Sequence, residues 1–148
     1  AACCEAGARS VGCSEEVAKK MHRFGELVGI AFQIKDDLFD YTTSNAIGKP
    51  VGIDIKEQKM TLPLIYSINT ASEKDEKWLI NSAKRYNNEK KRVREIIQYV
   101  KDHGGIEYTQ QMMKKYSQDA LDILYEFPEN EYRNSLETMV KYVIEREK

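Results

Sequence analysis

Cysteine, proline, histidine and tryptophan are all scarce in this chain, and each scarcity narrows what it can be. There are three cysteines, three prolines, two histidines and one tryptophan. Cys3 and Cys4 are adjacent and Cys13 follows nine residues on. That spacing contains no C-x-x-C metal pair and no disulfide framework. The three read as small packing residues of a reduced cytosolic protein. His22 and His103 stand far apart, neither with a partner at metal-ligand spacing. Charge of one sign is missing too: 23 Lys and Arg face 24 Asp and Glu, for a net charge of −1. A general nucleic-acid footprint is therefore not expected. The basic run Lys90-Lys91-Arg92 lies among glutamates and reads as a solvated face. No apolar run approaches the ~20 residues of a membrane span. The first residues lack the basic-then-apolar pattern of a secretory leader. Strict period-two alternation is absent as well, so no strands are expected.

What remains is a helical chain of ordinary globular composition, 41% hydrophobic and 32% charged over 148 residues. That is the size of one domain. It opens AACCEAGARS, without methionine and in mid-pattern, which reads as a fragment starting inside a helix that breaks around Gly7. Ser10 to Cys13 form a turn with Gly12, and Ser14 is a good N-cap with Glu15 and Glu16 in the first turn behind it. A long helix follows and should end near Tyr41. The stretch from Gly48 to Lys59 reads as a loop. Pro63 suits the first turn of the next helix, capped by Thr61 or Leu62. Helical spacing of apolar residues then predicts helices over 73–86, 89–101, 106–126 and 131–146, with Gly104-Gly105 and Pro128 as breaks. Met112 and Met113, in the third of these, read as core filler. The fold class is all-α, a helical bundle.

The long helix carries the stretch that asks for a function, FGELVGIAFQIKDDLFD from Phe24 to Asp40. It is apolar nearly all round, as a helix buried among several neighbours would be. The polar exceptions Gly25, Gly29, Gln33, Asp36 and Asp40 fall on one stripe. Asp36 and Asp40 repel as i,i+4 neighbours by about 0.2–0.5 kcal/mol. At the negative pole of the helix dipole, Asp36, Asp37 and Asp40 each cost roughly 0.3–1 kcal/mol more. Local costs gathered in one place usually serve a site. A divalent cation would compensate them, and carboxylates suit Mg²⁺. The Lys-bearing loop just beyond would bring cations to a phosphate held there. The bland alternative is close helix packing at Gly25 and Gly29 with a buried amide at Gln33.

The segment FQIKDDLFDYTTSNAIGKPVGIDIKEQKMTLPLIYSI resembles the second aspartate-rich region of the polyprenyl synthetase family, the trans-type isoprenyl diphosphate synthases. The shared pattern is F-Q-x-x-D-D-x-x-D, then Gly48-Lys49-Pro50, then Asp54-x-Lys56-x-x-Lys59-x-Thr61-x-Pro63. Gly104 to Tyr108 and the ending YVIEREK are also family-like. The G-K-P and K-x-T-x-P segments point away from terpene cyclases, which share the fold and an aspartate-rich motif.

The resemblance implies an isoprenoid-synthase-type fold, of which residues 1–148 would be the C-terminal portion of a single domain. The N-terminal half, with the first aspartate motif, would lie upstream. It implies a transferase of isoprenoid biosynthesis: a prenyltransferase joining isopentenyl diphosphate to an allylic diphosphate by Mg²⁺-assisted ionisation. Asp36, Asp37 and Asp40 would hold Mg²⁺, with Asp36 and Lys49 central to catalysis. Gln33, Lys49 and Lys59 would serve the diphosphate, and Phe32 and Gly29 would line the substrate pocket. The complete protein is expected to be a cytoplasmic homodimer, and the isolated chain to be inactive. The alternatives are a non-catalytic partner subunit of a heteromeric synthase, against which the intact aspartates argue, and a purely structural bundle.

Overall fold

A computed structural model of the protein describes residues 1–42 and 51–146. The described residues form eight α-helices and no strand: α1 (Ala2–Ser10), α2 (Glu15–Phe39), α3 (Ile53–Lys56), α4 (Leu62–Thr70), α5 (Glu73–Arg85), α6 (Lys90–Asp102), α7 (Gly105–Tyr125) and α8 (Glu131–Glu145). The all-α expectation holds. No helix among the described residues is long and apolar enough to cross a membrane. The chain divides into two compact units, one of Ala1–Lys35 with Met112–Glu147, the other built on Asp36–Gln111.

In the first unit the apolar faces of α2, α7 and α8 meet. Phe24, Leu27, Val28 and Ala31 pack with Ala120, Leu121, Leu124, Val140 and Val143. Each large side chain buried this way contributes roughly 1.5–3 kcal/mol relative to exposure. Ser14 caps α2, its Oγ accepting from the Val17 amide at 3.3 Å. Helix α1 does not break at Gly7 but runs through it to Ser10. One exposed glycine costs about 1 kcal/mol against alanine, and α1 has tertiary support. Arg9 bridges Glu5 and Glu15, both at 2.8 Å, and Glu5 reaches His22 of α2 at 2.7 Å. The crossing is close. A methyl at Gly25 would lie 2.8 Å from Cys4 Sγ and 3.1 Å from Ala1 Cα. Gly25 thus serves packing, as the bland alternative held. Gly29 does not: nothing lies within 4 Å of where its Cβ would be. Nor is α2 covered all round, since Gly29, Phe32 and Gln33 are exposed.

In the second unit, α4, α5 and α6 close over a core of Leu64, Ile68, Leu79, Val93, Ile96 and Val100, joined by Tyr41 and Ile55. Ser72 caps α5 by accepting from the Asp75 amide. Gly105 sets the start of α7 hard against its neighbours, its absent Cβ leaving room for Ser67 Oγ, the Pro63 carbonyl and Val100. Arg92 departs from the solvated reading of the basic run. It is half-buried, over the rings of Trp78 and Tyr86, and bonded to Glu95 at 3.0 Å. The loop expected over Gly48 to Lys59 contains the short helix α3. Gly52 precedes it at φ +76°, where a side chain would collide with Val93.

Candidate active site

Buried Leu38 and Tyr41 fix the end of α2 in its core and leave Asp36 and Asp37 half-buried beside them. The third aspartate, Asp40, is only 4% exposed. Its Oδ1 accepts from the Ile53 amide at 2.8 Å and its Oδ2 from the Asp54 amide at 3.1 Å, while its carbonyl accepts from Gly52 at 3.0 Å. Asp37 Oδ2 accepts from the Leu62 amide at 3.2 Å. Leu62 is the first residue of α4, and Ile53 and Asp54 are the first two of α3. Two acids at the unfavourable pole of α2 therefore sit at the favourable poles of two other helices. They also satisfy amides that those helices cannot pair internally.

Tyr41 anchors the same knot from below. Its hydroxyl lies 2.8 Å from Thr61 Oγ1. Burial holds its phenol well above the ordinary tyrosine range; the Thr61 bond opposes that rise, and the charges of Asp40, Asp37 and Asp54 add smaller contributions to it. Lys59 pairs with Glu57 at 2.6 Å and Asp54 at 3.2 Å. Those bonds, Glu57's first, raise its pKa above the usual lysine value. Lys59 is tied to Asp40 through Asp54, whose amide donates to Asp40 Oδ2.

The other residues singled out by sequence lie back along α2 or outside the described residues. Gln33 is exposed one turn before Asp36. Phe32 is 43% exposed, with the guanidinium of Arg146 centred 4.0 Å from its ring. Gly29 opens onto empty space. Lys49, in the Gly48-Lys49-Pro50 segment, lies outside the described residues. Sequence reasoning missed Tyr41, the tethering part of Asp54, and Arg146. Asp54 lay inside the compound motif, but Arg146 is 114 residues from Phe32 and carries no local signal.

Among the described residues, no three His, Cys, Asp or Glu side chains converge as a cage for a metal ion. Mg²⁺ does not need one: it takes one or two carboxylates and completes its shell with water and phosphate oxygens. Asp36 and Asp37, hard donors that are only half-buried, fit that demand. Asp40 fits a supporting part, since both its oxygens already receive amide protons.

Residues 1–100 match the polyprenyl synthetase family profile. Heptaprenyl diphosphate synthase component 2 of Bacillus subtilis (strain 168) is 33% identical over 97% of this chain and 40% of its own length. A crystal structure of a geranylgeranyl pyrophosphate synthase from Bacteroides thetaiotaomicron superposes with a TM-score of 0.87 at 37% identity, covering 98% of this chain and 48% of that one. A polyprenyl synthase from Caulobacter crescentus, solved with calcium and isoprenyl diphosphate, gives 0.82 at 28% identity over 96% and 44% of the two chains. The chain thus spans less than half the length of these relatives. Motif, fold and profile agree, and the chain belongs to the polyprenyl synthetase family.

Proposed function

We propose that this chain is the C-terminal portion of a polyprenyl synthetase domain, and that the complete protein is a prenyltransferase. It condenses isopentenyl diphosphate with an allylic diphosphate and lengthens the prenyl chain. One observation carries the reading: Asp36 and Asp37 stand half-buried at the end of α2, one turn beyond an open face of Gly29, Phe32 and Gln33. Charge for a diphosphate and room for a hydrocarbon follow one another along a single helix. Mg²⁺ held by Asp36 and Asp37 would neutralise the charge that grows on the departing diphosphate.

Within that frame each residue has a task. The Gln33 amide and the Lys49 ammonium donate to phosphate oxygens, so the allylic C–O bond breaks with its electron pair on the leaving group. Lys59 holds Asp54, and Asp54 together with Ile53 holds Asp40, which keeps the end of α2 rigid. Gly29 leaves space for the prenyl tail, and the face of the Phe32 ring lies near the allylic cation, an arrangement that ring quadrupoles favour.

The test is Asp36→Ala in a synthase-length protein. Mg²⁺-dependent condensation should fall at least roughly 10²-fold, as on loss of a charge-stabilising group, while the helical circular dichroism persists. Unchanged activity would leave only a structural bundle with an acidic helix end. The chain alone should show little or no elongation. In this reading the complete protein works as a homodimer in the cytoplasm. A second reading takes its cue from the Bacillus subtilis relative named as component 2: a subunit of a two-component synthase. Condensation by the purified protein without a second polypeptide would exclude that form.

A further inference from the structure

The C-terminal end of α8 is fastened to α2 at three points, all within the first unit. The Arg146 guanidinium carbon lies 4.0 Å from the centroid of the Phe32 ring. Arg146 Nη2 donates to the Phe32 carbonyl at 3.3 Å. Lys35 Nζ donates to the Ile144 carbonyl at 2.8 Å in a part-buried setting. The last carbonyls of a helix have no partner within it, and a cation there also meets the negative pole of the dipole. Lys35 therefore anchors α8 at the place where α8 most accepts an anchor, and this brings Arg146 over Phe32.

We propose that Arg146 is a positioning residue that fixes the ring of Phe32. The inference rests on the reading of Phe32 as a lining residue of the prenyl pocket. A long side chain on a helix chooses mainly between two χ1 wells, and a 43%-exposed ring has little else to decide between them. The planar guanidinium covers one face of the ring and leaves the other for substrate. Its bond to the Phe32 carbonyl adds a hold on the backbone, in the turn whose next step is Asp36. The ring is thereby held to one geometry, and error there is costly in a reaction that depends on placement. A lysine keeps the charge but not the flat fork, so Arg146→Lys should restore only part of the effect.

The experiment uses a synthase-length protein labelled with 4-fluorophenylalanine. This chain contributes four phenylalanines, and the Phe32 resonance is assigned by its loss in Phe32→Leu. In Arg146→Ala the Phe32 fluorine signal should shift while the melting curve holds. The kcat for condensation should fall roughly three- to tenfold, the range a lost cation–π contact supports. The KM for isopentenyl diphosphate should stay unchanged. Arg146→Lys should fall between wild type and Arg146→Ala on both readouts. A Phe32 signal that does not move overturns the proposal, as does a signal that moves while kcat holds. A wild-type protein with no condensation activity would overturn the prenyltransferase reading instead, and the fluorine arm would still decide whether Arg146 holds the ring.

Discussion

Asp40 separates two accounts of the acidic helix end by the sign of one measurement. Suppose it were only a metal ligand. Removing its charge in metal-free protein would then relieve i,i+4 repulsion with Asp36 and the dipole penalty, stabilising the fold by up to about 1.5 kcal/mol. The structure argues the reverse. Asp40 is 4% exposed and accepts the Ile53 and Asp54 amides at 2.8 and 3.1 Å. Asp40→Ala orphans both donors at a cost of about 1–3 kcal/mol each where water cannot reach. Ile53 and Asp54 are themselves partly exposed, which argues for the lower half of that range. The expected loss is about 2–4 kcal/mol. Asp40→Asn keeps one acceptor and turns a donor toward the second amide, so it should lose about 1–2 kcal/mol. For a chain of this size each kcal/mol moves Tm by roughly 2–4 °C. Urea and thermal unfolding in EDTA, followed at 222 nm, give both numbers. An Asp40→Asn protein as stable as wild type, or more so, would refute the capping account.

Three further outcomes follow from other parts of the molecule. The Glu5 carboxyl is held below its ordinary range by its bond to Arg9 and then by His22. A depressed carboxyl stabilises above its unfolded value and loses that contribution as pH falls through the folded one. Amide protection factors in α1, taken relative to the intrinsic exchange rate at each pH, should therefore fall as pH drops below about 4.5, and Glu5→Gln should flatten that dependence; identical profiles would refute it. Gly29 has nothing near its Cβ position, so Gly29→Ala should stabilise the chain by about 0.5–1 kcal/mol while lowering condensation in the complete protein. A methyl at Gly105 would meet Ser67 Oγ at 2.7 Å and the Pro63 carbonyl at 2.8 Å, so Gly105→Ala should cost about 1–3 kcal/mol by denaturant titration.

Most of the fold was legible because its signals are local. Ser14 caps α2 from three residues away, Pro63 sits in the first turn of α4, and Gly104 turns α6 into α7 at φ +78°. Gly7 misled for a physical reason: a glycine lowers local helix stability, but contacts of Cys4 and Glu5 with α2 outweigh it. Helix α3 was illegible because four residues cannot show a period, and its cap comes from Asp40, thirteen residues back. The site divided the same way. The aspartates and Gln33 stood out as exceptions on an apolar helix, whereas Arg146 joins Phe32 only through the packing of α8 on α2.

The fold does not leave the acids at the end of α2 to a cation alone. Asp37 and Asp40 each meet a helix N-terminus, so part of the electrostatic debt is settled before any metal arrives. That division has a consequence for the chemistry. A carboxylate that serves both a backbone amide and a metal cannot swing away when the metal leaves, because release would orphan the amide. Asp37, bonded to the Leu62 amide through Oδ2, would be held in this way under the proposed metal role, and Asp40 holds the start of the segment that carries Lys59. In the proposed reaction these carboxylates would be preorganised by the same bonds that fix α3 and α4 to the end of α2. Such preorganisation avoids reorganisation at the moment the leaving group departs. The acids that make this helix end look unstable in sequence are the ones that build the structure around it.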